Sequence, residues 1–243
     1  IHERLVELWR VVGFVGFQTE TRDYVELVGD LPFILEVEGV DGVAELSGLS
    51  ERITRWVLND VCSQINRWRQ VRPDFDVPVS INVAGREMGS TALPALVRAA
   101  LAQHAIAPQL IVLEITERTL VRESEINNDV LAELASLGVG LVLDDFGTGY
   151  SMLGYLKRMP FTALKIDQSF IEGIPGDADS RAIVHAMLAV ARHFKLKVVA
   201  EGVESIEQVE YMRDIGCEFA QGYFYARALS SDTILDYLAR AGA

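Results

Sequence analysis

The run Val142-Leu143-Asp144-Asp145-Phe146-Gly147-Thr148-Gly149-Tyr150-Ser151 sets two adjacent carboxylates between an apolar stretch and a glycine-punctuated loop. Two like charges about 4 Å apart repel by about 4 kcal/mol where the effective dielectric is about 20. A divalent metal shared between them would offset that repulsion and give the pair a chemical task. In a regular strand Asp144 and Asp145 would point to opposite faces. Gly147 and Gly149 permit a sharp turn that would aim both carboxylates into one site. The plainer reading is a capped strand end, because Asp and Gly both favour turns. A short motif does not decide between the two by itself. The rest of the chain favours the metal.

Those carboxylates need elements to position them. Strand-like runs occur at Phe14–Thr19, Leu31–Val37, Val79–Val83, Leu110–Ile115, Val139–Leu143, Ala163–Ile166, Leu196–Ala200 and Cys217–Gln221. Helical patterns alternate with them at Glu3–Val12, Glu51–Gln70, Leu93–His104, Ser124–Leu137, Ser180–Phe194, Ile206–Ile215 and Thr233–Ala239, with a weaker one near Ser151–Arg158. Continuous apolar runs such as Leu141-Val142-Leu143 suit strands buried on both faces under helices. This alternation predicts an α/β fold, a TIM-like (β/α)8 barrel formed as a single domain over residues 1–243, with residues 1–12 as a lead-in helix. A doubly wound open sheet is the alternative, but no Gly-x-Gly-x-x-Gly follows the first strand.

A barrel of this kind carries its active site where strands end and βα loops begin. Those positions hold Glu36, Asn82, Glu114, Asp144 with Asp145, Lys165 with Asp167, Glu201 and Gln221. Carboxylate and amide oxygens suit hard cations such as Mg2+, Mn2+ or Ca2+ rather than zinc. The plainer reading of Lys165 is an ion pair with Asp167 or Glu201.

Composition narrows the function classes. The chain has 243 residues, 50% hydrophobic and 23% charged, as expected of one globular domain. A net charge of −13 argues against polymeric DNA or RNA as a partner, since tracking a phosphate backbone needs a basic surface. It leaves room for a small phosphorylated ligand, because bound cations reverse the local field. Cys62 and Cys217 show no metal-ligand spacing and no disulfide framework, and the four histidines are scattered. No stretch is long and apolar enough for a membrane span. A start at Ile1 without a signal-peptide pattern predicts a domain of a larger cytoplasmic protein, itself even membrane-anchored, with regulatory domains attached.

At this point the motifs align with a known series. Asp144-Asp145-Phe146-Gly147-Thr148-Gly149-Tyr150-Ser151 resembles the signature loop of the EAL-domain family, cyclic-di-GMP phosphodiesterases and their relatives. In the family's order, Ser80-Ile81-Asn82-Val83 resembles its asparagine strand and Leu113-Glu114-Ile115-Thr116-Glu117 its glutamate strand. Leu164-Lys165-Ile166-Asp167-Gln168-Ser169-Phe170 resembles its lysine strand, and Val199-Ala200-Glu201-Gly202-Val203-Glu204 with Gln221-Gly222-Tyr223 completes the series. Ala44-Glu45 through Arg55-Trp56-Val57-Leu58 fits its first long helix. The resemblance implies a two-metal site using Mg2+ or Mn2+, with Asn82, Glu114 and Asp144 on one ion and Asp144 and Asp145 shared with a second. It implies that Lys165 holds a water or phosphate oxygen, that Glu201 orients or deprotonates the attacking water, and that Gln221 contacts substrate. Glu117 and Glu204 would brace the loop after Asp145. A homodimer through the surface near that loop is also implied.

The match departs from the family in its first strands. Glu-Ala-Leu is absent, and Glu36-Val37-Glu38 falls where it belongs, so Glu36 would supply the remaining metal ligand. Gln18 takes the place of the family's substrate-contacting glutamine, with Thr19 where a proline follows. Rival alignments place the motif at Glu26-Leu27-Val28, or at Gln18-Thr19-Glu20 if Ile1–Leu8 is the first strand. The connection from Glu38 to Ala44 is shorter than the family's, and no arginine occurs between Arg22 and Arg52. That implies a reduced guanine-phosphate pocket or a segment missing from the sequence. Arg227 is followed by Ala228 where the family usually has proline.

Two functions follow. The first is a metal-dependent phosphodiesterase that hydrolyses cyclic di-GMP to linear pGpG. The alternative is a catalytically impaired EAL-type receptor that binds cyclic di-GMP and signals to a neighbour. Retention of Asp145, Lys165 and Glu201 favours the enzyme. A weaker third reading is an enolase-like barrel with Lys165 as base.

Overall fold

A computed structural model describes residues 50–83, 88, 92–121, 124–149, 156–227, 229 and 231–241. The expected strands Phe14–Thr19 and Leu31–Val37 and the lead-in helix lie outside the described residues, as do Gln18 and Glu36. The remaining six apolar runs form one parallel sheet: β1 (Val79–Asn82), β2 (Ile111–Thr116), β3 (Gly140–Phe146), β4 (Ala163–Ile166), β5 (Lys197–Ala200) and β6 (Phe219–Ala220). Their spatial order is their chain order, with every neighbouring pair parallel. Each unit therefore adds its strand on the same side, as a (β/α)8 barrel requires. A doubly wound sheet would reverse direction at a switch point. The TIM-like (β/α)8 barrel expected from the sequence is thus represented among the described residues by six successive parallel strands with their helices.

Apolar content explains the strands. All four residues of β4 are buried, and Leu141, Val142 and Leu143 of β3 are 0–3% exposed. The helices are α1 (Ser50–Val71), α2 (Ala92–His104), α3 (Glu117–Val121), α4 (Ser124–Leu137), α5 (Gln168–Ile171), α6 (Ala178–Phe194), α7 (Ile206–Asp214) and α8 (Ile234–Ala241). Leu58, Val61, Cys62 and Ile65 of α1 repeat at i, i+3, i+4 and i+7 and are buried as one stripe. Local chemistry sets the helix ends. Asp177 caps α6 by accepting from the Ser180 N–H, and Lys195 closes it in the left-handed conformation. Ser205 and Gln208 form a reciprocal capping box that starts α7.

The strands lie close to where the apolar runs predict them, with one instructive exception. β3 continues past Leu143 through both aspartates to Phe146. The short helices α3 and α5 were not expected, because each begins directly at a strand end and is too brief to show a period. Cys62 and Cys217 are buried and unpaired. Among the described residues no helix is long and apolar enough to cross a membrane.

Candidate active site

Lys165 stands at the centre of the site. It is the third residue of β4, 4% exposed, and sits beside Val199 of β5 in the strand register. Its Nζ lies 3.0 Å from Glu114 Oε2, 3.1 Å from Asp144 Oδ1 and 2.6 Å from Glu201 Oε1. These partners come from β3 and the residue after β5, which flank β4, and from β2, one strand farther along the sheet. Burial pulls the Lys165 ammonium down, but Glu114, Glu201 and Asp144 outweigh it and hold the group well above its ordinary value. Of the two pairings open to Lys165, Glu201 is the one made. Asp167 instead caps α5 by accepting from the Ser169 N–H at 3.0 Å.

The sharp turn expected from Gly147 and Gly149 begins earlier, at Asp145 itself, and continues through Gly147, whose φ is +100°. The φ of +53° at Asp145 is left-handed, and the pairing of β3 with β4 shifts register between Leu143 and Phe146. Asp tolerates that conformation better than most side chains. A bulge of this kind bends the strand and re-aims its side chains. One carboxylate oxygen each from Asp144, Asp145 and Glu201 consequently lies within 4.8 Å of the others. Asp144 also accepts from the Asp145 N–H at 3.0 Å.

Four carboxylates thus surround one ammonium. Burial raises the Asp145 carboxyl, and the nearby Asp144 and Asp167 raise it further against Lys165 and Arg118. Burial likewise pushes Glu201 up to about 7, with Lys165 opposing and Asp144 and Glu114 adding. Excess negative charge of this kind fits a divalent cation. A second observation agrees: Glu114 Oε1 is buried and has no hydrogen-bond partner among the described residues. A carboxylate oxygen left in that state is costly unless something binds it. All available donors are oxygens, which selects a hard ion such as Mg2+, Mn2+ or Ca2+.

Asn82 ends β1, exposed, in register with Glu114. Glu117 is buried, and its Oε2 accepts from the N–H of Gly147 at 3.0 Å and of Gly149 at 3.4 Å. Gly147 has a φ of +100°, which L side chains rarely adopt, and a Cβ there would also press on Met187 Cε and the Phe170 ring, so glycine suits the seat of the loop on α5 and α6. Gln221 donates from Nε2 to Glu201 Oε1 at 2.5 Å. Glu204 is exposed, and its backbone N–H donates to Gln208 Oε1 at 2.7 Å. A brace from Glu204 to the segment after Gly149 would involve residues 150–155, outside the described residues. Sequence reasoning missed Arg118, whose charge acts on Asp145. Its position directly after Glu117 at a strand end was the available signal.

The EAL domain family model matches residues 30–228. Over 193 residues, 79% of this chain and 28% of the relative, the sequence is 39% identical to the bifunctional diguanylate cyclase/cyclic di-GMP phosphodiesterase MucR of Pseudomonas aeruginosa. It is 38% identical over 197 residues to the cyclic di-GMP phosphodiesterase NbdA of the same organism, covering 81% of this chain and 25% of the relative. The chain therefore spans about a quarter of the length of these relatives. Among solved structures, the PaMucR phosphodiesterase in its c-di-GMP complex superposes with a TM-score of 0.74 at 38% identity, covering 79% of this chain and 78% of that one. The EAL domain of Mycobacterium smegmatis DcpA superposes with a TM-score of 0.74 at 32% identity, covering 79% and 86%.

Proposed function

This chain belongs to the EAL domain family, and from that premise we propose that it is a Mg2+- or Mn2+-dependent phosphodiesterase that opens cyclic di-GMP to linear pGpG. The observation that carries the reading is the convergence of Glu114, Asp144 and Glu201 on Lys165, with Asp145 alongside and Glu114 Oε1 unpartnered.

In this reading Glu36, Asn82, Glu114, Asp144 and Asp145 would hold the two ions. Bound there, the ions would polarise the phosphodiester and lower the pKa of a water. The chain's own groups do the rest. Lys165 keeps three carboxylates in fixed relation and presents its ammonium to a phosphate oxygen. Glu201 takes the proton of the attacking water, a task suited to a carboxyl pushed up to about 7. The water oxygen bonds to phosphorus as the bond to the ribose oxygen breaks; that oxygen takes up a proton from solvent, and Glu201 returns its own to solvent. Gln221 orients Glu201 through its 2.5 Å hydrogen bond and faces the substrate, with Gln18 as a second contact. Glu117 anchors the loop after Asp145, and Glu204 braces the same segment.

A second reading has its own observation. Glu36-Val37-Glu38 stands where the family's name-giving motif belongs, which would suit a receptor that binds cyclic di-GMP without cleaving it. The greater length of the relatives supports further, regulatory domains joined to this one; a cytoplasmic location and a homodimer through the surface near the loop after Asp145 belong to the same reading and rest on the family resemblance alone. Incubation with cyclic di-GMP and Mn2+, followed by chromatography, tests the main reading. Accumulation of pGpG is expected. Binding without product would replace the enzyme with the receptor.

A further inference from the structure

Glu201 directly follows β5, and the loop it begins is held by a side chain from outside the site. The Glu201 N–H donates to Ile166 O at 3.1 Å, which ties it to the end of β4. Beyond it the backbone leaves the sheet, and Gln208 on α7 takes over. Gln208 is 8% exposed. Its Oε1 accepts from the N–H groups of Glu204 at 2.7 Å and Ser205 at 3.1 Å, and its Nε2 donates to Ile171 O at 3.0 Å. One amide therefore joins the loop after β5 to the end of α5, the helix that follows β4 and Lys165.

A capping box accounts for only part of this. It needs the bond from the Ser205 N–H and the return bond from the Gln208 N–H to Ser205 Oγ, at 3.3 Å. The bonds from Glu204 and to Ile171 serve no helix start. They run between two strand-end segments, one carrying Glu201 and the other following Lys165. An amide does both jobs at once, whereas a carboxylate has no donor and an ammonium no acceptor. Buried and engaged at both ends, such a group rigidifies what it joins. The opposite side of the loop meets the chain after β6. There the Val203 N–H donates to Gln221 O and the Phe224 N–H to Val203 O, each at 3.0 Å. The turn that follows leaves Tyr223 exposed, with the Arg227 guanidinium 4.3 Å from its ring centroid. That crossing fixes Val203, whereas the N–H groups of Glu204 and Ser205 depend on Gln208.

We propose that Gln208 is a positioning residue for Glu201, fixing the loop after β5 against α5 and so holding the carboxyl that takes the proton of the attacking water. The inference rests on the phosphodiesterase reading and deepens it. The side chain of Gln208 bonds to backbone groups, so its effect on chemistry passes through the placement of Glu201. A base must stay within hydrogen-bond reach of the water it deprotonates, and a displacement of about 1 Å can cost about 100-fold in rate. Other groups bind the substrate, so the effect falls on kcat rather than on KM.

The test follows pGpG formation from cyclic di-GMP with Mn2+ in wild type, Gln208→Met, Gln208→Glu and Ser205→Ala. Gln208→Met keeps the length and removes both polar ends, and kcat is expected to fall roughly 10- to 100-fold with KM within about threefold. Gln208→Glu keeps acceptors for the Glu204 and Ser205 N–H groups but cannot donate to Ile171 O. Its kcat should recover to roughly 3- to 10-fold below wild type. Ser205→Ala removes a helix cap and spares the side-chain bonds of Gln208, so Tm should fall while kcat stays within about twofold. A kcat in Gln208→Met no lower than in Ser205→Ala, or a loss that appears in KM alone, overturns the proposal. If Gln208→Met does not fold, Gln208→Glu against Ser205→Ala decides in the same way. If wild type forms no pGpG, the phosphodiesterase reading fails separately, and backbone hydrogen exchange of the metal-free protein judges the positioning. Exchange at Glu204 and Ser205 at least about tenfold faster in Gln208→Met than in Ser205→Ala supports it, and equal exchange overturns it.

Discussion

Lys165 is 4% exposed and Tyr223 is 59% exposed, although both stand where strands of the same sheet give way to loops. Lys165 belongs to a floor built by register. Its strand is fully buried, and its carboxylate partners arrive from β3 and the end of β5, which flank it, and from β2, the next strand beyond β3. Tyr223 belongs to a rim built by steric fit, where Gly222 passes against the Val203 backbone and a turn aims the ring outward. Charge balance holds the floor, and the absence of a Cβ holds the rim. The two regions should therefore fail in different ways when altered.

Lys165→Met separates them most sharply. The substitution keeps much of the volume and leaves Glu114, Asp144 and Glu201 without their shared cation. Removing one partner of a buried charge group destabilises by about 3–5 kcal/mol. Thermal unfolding of the metal-free protein should show Tm falling steeply, with Mn2+ recovering part of the loss and turnover abolished. A Tm within a degree of wild type would mean that the floor is not held by charge.

Gly222→Ala should strike the rim and spare the floor. The new methyl meets the Val203 backbone at 2.2 Å, and backbone cannot rotate away as a side chain would. Strain of this kind is of order 1–3 kcal/mol. KM for cyclic di-GMP should rise while Mn2+ affinity, measured by calorimetry, is retained. Equal loss of both would mean that floor and rim are one unit.

The same contrast governs how far the sequence could be read. Floor residues were legible because strand ends in a parallel α/β sheet form one face, and Glu114, Lys165 and Glu201 each follow an apolar run. The bulge at Asp145 was not legible. Adjacent aspartates before Gly147 pointed to a turn in the glycines, and Gly147 does have a φ of +100°, but Asp145 is left-handed as well, a choice that pairing with β4 makes. Nor could the Tyr223–Arg227 stack be read, since it depends on a turn whose geometry is set by Val203, some twenty residues earlier in the chain. Long-range backbone contacts leave no periodic trace.

Between floor and rim lies the loop that Glu117 holds. Glu117→Gln keeps the size and one acceptor oxygen but removes the negative charge that meets the N–H groups of Gly147 and Gly149. A loss of about 1 kcal/mol is expected, because a charge-assisted hydrogen bond becomes a neutral one. Turnover should drop more than KM changes, since the loop carries Asp145 rather than Tyr223. A change confined to KM would assign Glu117 to the rim instead.

The smallest effect concerns protons and sharpens the account of the floor. Burial pushes Glu201 up to about 7 from an ordinary 4.5, and raises Asp145 from 3.8. In the unfolded chain both return to those ordinary values, so between them and the folded values the folded protein binds more protons than the unfolded one. Its metal-free stability is then greatest below about pH 4.5, falls as pH rises toward about 7, and levels off above. Lys165 adds no slope there, because its raised value keeps it charged throughout. A bound divalent cation takes the place of the proton, so the gain in Tm on adding Mn2+ should grow across the same range. Unfolding scans at about pH 5, 6, 7 and 8, with chelator and with Mn2+, measure both trends. Glu201→Gln should flatten most of the metal-free slope and Asp145→Asn a smaller share, because each removes one of the two carboxyls that burial forces to hold a proton. A metal-free Tm that rises from pH 5 to 8 would show that these carboxylates are not crowded against one another, and the argument for a cation among them would lose its electrostatic ground.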